Sequence, residues 1–115
     1  ARTKILCLVQ VPDKLPALSD AKAIGLVRIL QEALTNVMRH AQAHTVELTL
    51  VVDGDNLRLT ISDDGAGFVP APGRPVSFGL VGMRERVLIM GGQLTLDSEL
   101  GEGTTLSVTV PLDSP

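Results

Sequence analysis

The sequence predicts a two-layer α/β sandwich, in which helices cover one face of a mixed, mainly antiparallel sheet. Three observations carry this. The elements follow the order β, long α, β, β, loop, α, β, β. Four of the strands alternate apolar and polar residues, so each has one face to bury. Two amphipathic helices can supply the cover. At 115 residues the chain is expected to form one domain over 1–115.

The elements can be justified in order. Residues 4–10, KILCLVQ, read as a short apolar strand in which Cys7 is expected to be a buried thiol. Pro12 and Pro16 interrupt it. A helix follows from about Ser19 to Ala43, with Leu26, Val27, Leu30, Ala33, Leu34, Val37, Met38 and Ala41 at steps of three and four. Ser19 or Asp20 can cap its start. In the next strand Val46, Leu48, Leu50 and Val52 alternate with Glu47, Thr49 and Val51; in the one after it, Leu57, Leu59 and Ile61 alternate with Arg58, Thr60 and Ser62. Asp53-Gly54-Asp55-Asn56 joins the two as a hairpin. Residues 64–79 hold three Pro and four Gly and read as a long irregular loop. A second helix is expected from about Leu80 to Met90, stopped by Gly91-Gly92. Strands from Gln93 to Ser98 and from Thr104 to Pro111 close the chain.

Composition narrows the function. There is no Trp or Tyr, and the only aromatics are Phe68 and Phe78, so the core must be aliphatic. Nine of the eleven glycines lie between Gly65 and Gly103, which points to shaped loops in one half of the chain. No apolar run approaches the roughly 18 residues of a membrane span, and the opening residues do not read as a signal sequence. A single Cys excludes an internal disulfide framework. The net charge of -3 and the lack of a basic stripe argue against nucleic acid as a partner.

Three groups of residues carry chemistry. On a wheel of ~100° per residue with Glu32 at the origin, Asn36 falls at about 40°, Arg39 at about -20° and His40 at about 80°. Such a face is either a solvated polar stripe or a site for a metal-bound polyphosphate. Asn offers Mg²⁺ a neutral oxygen, Arg suits phosphate, and Glu can orient water or accept a proton. Strand parity turns Asp63 toward the core side and Asp64 outward. A carboxylate at an apolar layer needs donors, and the amine of a flat heterocycle is one. Gly65 and Gly67 would allow close backbone approach there. Gly79 and Gly82 sit at the start of the second helix, where free N–H groups favour anions. Neither GxxxxGK[ST] nor GxGxxG occurs, so a nucleotide site here would be of another kind.

Taken together, these segments resemble the ATP-binding catalytic domain of sensor histidine kinases, within the gyrase, chaperone, histidine kinase and MutL (GHKL) ATPases. Residues 31–41, QEALTNVMRHA, resemble that family's asparagine box; 63–68, DDGAGF, its first glycine box; 79–87, GLVGMRERV, its second; and 101–104, GEGT, its last. The boxes come in the family's order and cover about residues 4–112. GMRERV, with the Thr-Asn and Arg-His-Ala of the asparagine box, resembles the nitrate-sensor-like and DesK-like subgroup.

The resemblance implies a Bergerat fold, ATP and Mg²⁺ as ligands, and a transfer of the γ-phosphoryl group to a histidine on a separate domain. It implies that Asn36 coordinates Mg²⁺ and that Glu32 lies by the γ-phosphate as base or water-orienting group. Arg39 and His40 would lie near the phosphates. Asp63 would accept from the adenine amine, supported by Thr104, with Gly65, Gly67 and Phe68 in the base pocket. Residues of about 66–79 would form an ATP lid, with Gly79, Leu80 and Gly82 near the phosphates and Phe68 and Phe78 as hinge-side anchors. Ser77 replaces a glycine common in the family's second box.

Neither His40 nor His44 follows the pattern of a phosphoacceptor helix. The chain is therefore expected to be the cytoplasmic catalytic part of a larger kinase, whether or not that kinase is membrane-anchored, and to be monomeric and without membrane contact of its own. Its expected partners are the dimerisation domain and, through the whole kinase, a response regulator. An anti-sigma-factor-like serine kinase of the same superfamily and a degenerate, non-catalytic nucleotide-binding module are the alternatives.

Overall fold

The computed structural model describes residues 5–14, 16–40, 43–65, 78–99 and 101–112; for residues 39, 40, 78–81 and 99 it describes the backbone only. Seven elements follow in order: β1 (Leu6–Gln10), α1 (Asp20–His40), β2 (Thr45–Asp53), β3 (Asn56–Asp63), α2 (Phe78–Ile89), β4 (Gln93–Glu99) and β5 (Gly103–Pro111). They form a five-stranded sheet in the order β1-β2-β3-β5-β4. Only the β1–β2 pair is parallel, as a crossover through α1 requires. The β2–β3, β3–β5 and β4–β5 pairs are antiparallel.

Alternation holds along β3, β5 and the first half of β2, but fails at the end of β2, where Val52, expected inward, is 42% exposed. Val46 and Leu48 of β2, Leu57, Leu59 and Ile61 of β3, and Leu106, Val108 and Val110 of β5 are all buried. They share one face of the sheet. Leu26, Ile29, Ala33 and Val37 of α1 and Met83 and Val87 of α2 complete the core. At about 25 cal/mol per Å² of apolar surface removed from water, this aliphatic layer is the main stabilising term. The hairpin turns on Gly54 at φ 61° and pairs Asp53 with Asn56. Among the described residues, no helix is long and apolar enough to cross a membrane.

The helix ends have local causes. Ser19 Oγ accepts from the Lys22 N–H at 3.2 Å and the Ser19 carbonyl accepts from the Ala23 N–H at 3.0 Å, so Ser19 is the cap of α1. At the far end of α2, the Gly92 N–H donates to the Val87 carbonyl at 2.9 Å and the Gly91 N–H to the Leu88 carbonyl at 3.0 Å. That is a Schellman motif, and Gly91 takes the left-handed position at φ 79°.

Four expectations need correction. Cys7 is exposed rather than buried, because β1 is an edge strand and Leu6, Leu8 and Val9 beside it are exposed too. The described α1 spans Asp20–His40, short of Ala43, which precedes β2. The second helix begins at Phe78, inside the segment read as irregular, and ends at Ile89. The buried face of α1 is rotated from the expected one. Ile29 is fully buried, whereas Val27 and Met38 are 52% and 74% exposed.

Candidate functional site

The rotation of α1 bears directly on the site. On the helix wheel Ile29 lies about 20° from Asn36, so Asn36 borders the buried stripe instead of facing away from it. Glu32 and Asn36 are both half-buried. Among the described residues neither has a hydrogen bond or ion pair. Glu32 lines a groove of about 480 Å³ between the helices, together with Arg28, Gln31 and Thr35 of α1 and Gly82, Met83 and Arg86 of α2.

The helices run antiparallel. A Cβ at Gly25, near the start of α1, would lie 3.0 Å from Met90 Sδ just past the end of α2. At the same end Lys22 Nζ donates to the Pro111 carbonyl at 2.8 Å. The N-terminus of α2, with Phe78, Gly79 and Leu80, therefore points toward the end of α1 that carries Asn36, Arg39 and His40. Five residues beyond His40, β2 begins beside the end of β3, with Val46 opposite Asp63. The second half of α1, the start of α2 and the last residue of β3 lie at the same end of the sandwich.

Asp63 is the one buried charged or polar side chain among the described residues, at 9% exposure. Its Oδ1 accepts from the Gly65 N–H at 2.9 Å. Burial pushes its carboxyl above the ordinary Asp value of 3.8; hydrogen bonds from the Gly65 and Thr104 N–H groups oppose the rise, and the charge of Asp64 adds to it. Asp64 behaves in the opposite way. It is exposed, and its Oδ1 accepts from the His44 and Thr45 N–H groups at 2.8 and 2.9 Å, tying the start of β2 to the end of β3. Those bonds, chiefly the one from Thr45, lower its carboxyl pKa. The adjacent aspartates therefore divide the work: Asp64 fixes the chain, and Asp63 is held inside with its carboxyl pKa raised by burial.

Thr104 lies directly opposite Asp63 in the β3–β5 register and is half-buried on the same face. It supports Asp63 through its backbone N–H. Its hydroxyl instead meets Ser98 Oγ at 2.8 Å, across the β4–β5 pair. Ser98 was not singled out by its sequence context. Its signal was available in strand parity, because Ser98 shares the inward face of β4 with Leu94 and Leu96.

Gly82 is the most informative of the glycines near α2. A Cβ there would meet no heavy atom within 4 Å. Glycine in a helix interior costs about 1 kcal/mol relative to Ala, and no described part of the protein requires it. Gly65 is buried beside Asp63. Gly67 and Phe68, with most of the expected lid, lie outside the described residues. The side chains of Arg39, His40, Phe78 and Leu80 lie outside them as well, so the expected anchoring role of Phe68 and Phe78 falls outside the described residues. A second hollow of about 390 Å³, bordered by Gln10 and Val52 at the opposite end of the sheet, has no ionisable side chain in its lining.

Residues 21–114 match the family described as Histidine kinase-, DNA gyrase B-, and HSP90-like ATPase, and the chain belongs to it. It is 42% identical over 95 residues to the signal transduction histidine-protein kinase/phosphatase UhpB of Salmonella typhimurium, covering 83% of this chain and 18% of that protein. It is 33% identical over 109 residues to DegS of Bacillus subtilis, covering 92% of this chain and 28% of that one. The chain thus spans less than a third of either relative. The blue-light activated histidine kinase of Erythrobacter litoralis EL346 superposes with a TM-score of 0.83 at 26% identity, over 96% of this chain and 36% of that one.

Proposed function

We propose that this chain is the ATP-binding catalytic domain of a sensor histidine kinase. It would bind Mg-ATP and present the γ-phosphoryl group to a histidine on a separate dimerisation domain of the same kinase, which then serves a response regulator. The observation that carries the reading is Asp63. A buried carboxylate that already accepts from the Gly65 and Thr104 N–H groups still has lone pairs for a further donor, and the exocyclic amine of adenine supplies one. Asn36 and Glu32, half-buried and without a partner among the described residues, and Gly82, against which no described atom packs, support a phosphate site at the same end of the fold.

The residues fit a magnesium ion that arrives with its phosphates. Among the described residues there is no group of three or more His, Cys, Asp or Glu side chains that could hold a metal alone. Magnesium commonly takes one or two protein oxygens plus substrate phosphates, and Asn36 offers such an oxygen. When bound, the ion would neutralise charge on the phosphates. Asp63 would orient the base. The free N–H groups at the start of α2 and the Arg39 guanidinium would orient the phosphate chain. Glu32, in the groove between the helices, would orient the acceptor or hold its proton. Catalysis of this kind is mostly positioning, which suits the end of a central strand lying near two helix ends.

Labelled ATP tests the reading. The chain mixed with a dimerisation domain supplied in trans should pass label to that domain and retain none itself. Label held stably on His40 or His44 contradicts the assignment of the acceptor to another domain.

A further inference from the structure

Asp63, Thr104 and Ser98 form a row across three strands, all on the helix-covered face, in register through Asp63–Thr104 and Ser98–Thr104. The hydroxyls of Ser98 and Thr104 lie 2.8 Å apart. Ser98 Oγ also donates to the Gly103 carbonyl at 3.3 Å. A serine hydroxyl has one proton, and a carbonyl can only accept. Both bonds form together only when Thr104 donates its proton to Ser98 and Ser98 donates its own to Gly103.

With its proton committed to Ser98, Thr104 Oγ1 has only lone pairs left for the pocket. Ionised Asp63 likewise only accepts. Directly opposed side chains on an antiparallel pair stand about 5 Å apart. The pocket therefore presents two neighbouring acceptors and selects for a ligand edge rich in donors.

We propose that Ser98 is a positioning residue for base recognition: by taking the proton of the Thr104 hydroxyl, it keeps Thr104 an acceptor beside Asp63 and so makes the pocket select a purine that carries an exocyclic amine. Without the Ser98 hydroxyl, the Thr104 proton is free to turn toward the Asp63 carboxylate opposite it in register, and there it competes with the amine. This rests on the adenine-pocket reading above.

The experiment is a binding cycle by calorimetry, using ATP and purine riboside 5′-triphosphate, which lacks the amine, with the wild-type chain and Ser98→Ala. The wild type should prefer ATP, and Ser98→Ala should lower that preference about three- to tenfold, the range of one hydrogen bond. Ser98→Thr, which keeps the hydroxyl, should restore it. A structural role alone would weaken both nucleotides equally in Ser98→Ala. That result, or an unchanged preference in Ser98→Ala, overturns the assignment of Ser98 while leaving the nucleotide site standing. A wild-type chain that prefers neither nucleotide overturns both readings. If Ser98→Ala does not fold, the same cycle with Ser98→Cys decides, because the thiol is a poor acceptor and should also lower the preference.

Discussion

Gly103 packs against Asp63 so closely that a Cβ at position 103 would overlap the Asp63 carbonyl oxygen and lie 3.2 Å from the Cα of Asp64. Gly103 also adopts φ 91°, a conformation that residues with side chains avoid. Two penalties therefore fall on one substitution. Gly103→Ala should destabilise the domain by more than about 2 kcal/mol, through backbone strain and displacement of β3. Urea unfolding followed by far-UV circular dichroism measures this; a loss below about 0.5 kcal/mol would show that the strands part without cost.

Gly82 makes the opposite case. Space surrounds it, so Gly82→Ala should leave stability unchanged or raise it by up to about 1 kcal/mol. If that space belongs to the phosphates, the same change should weaken Mg-ATP binding by tenfold or more. Melting temperature and calorimetric affinity, measured on one sample, should move in opposite directions. Tryptophan fluorescence cannot serve as the readout, because the chain has no Trp.

Asp63 and Asp64 should shift stability with pH in opposite senses. The folded-state pKa of Asp63 is raised, so folding carries no penalty below about pH 3.8, where the carboxyl is protonated in both states. The penalty grows as pH rises and is complete above the raised folded value. Asp63→Asn should therefore be more stable than wild type at neutral pH, and its advantage should shrink on acidification. For Asp64 the folded-state pKa is lowered, so its contribution is present above 3.8 and disappears as pH falls through the lowered value. Asp64→Asn should be less stable than wild type at neutral pH, with the gap closing in acid. Urea midpoints from pH 3 to 8 test both; gaps that do not change with pH would contradict the titration of these groups.

Much of this was legible in the sequence, for identifiable reasons. Alternation in β3 fixes the inward side of Leu59 and Ile61, and parity alone then turns Asp63 inward. Gly91-Gly92 marks the end of α2 because a Schellman motif requires a left-handed residue there. Other features depend on partners that a one-dimensional reading does not supply. The apolar run around Cys7 reads as a buried strand, but strand order makes it an edge. Ile29 adjoins Asn36 on the wheel, so a stripe drawn away from the polar residues passes it by, although it is fully buried. Thr104 is inward by parity, yet only the β4–β5 register reveals that its hydroxyl is taken by Ser98. The close approach of Gly103 to Asp63 likewise exists only once β3 and β5 are paired.

The most direct test of the nucleotide assignment is a calorimetric titration of Mg-ATP into the wild-type chain and into Asp63→Asn at neutral pH, with unfolding curves of both. The account predicts that wild type binds, and that Asp63→Asn remains folded, at least as stable, and binds at least tenfold more weakly. Equal affinity of the two proteins, or no binding by a folded wild type, would contradict it.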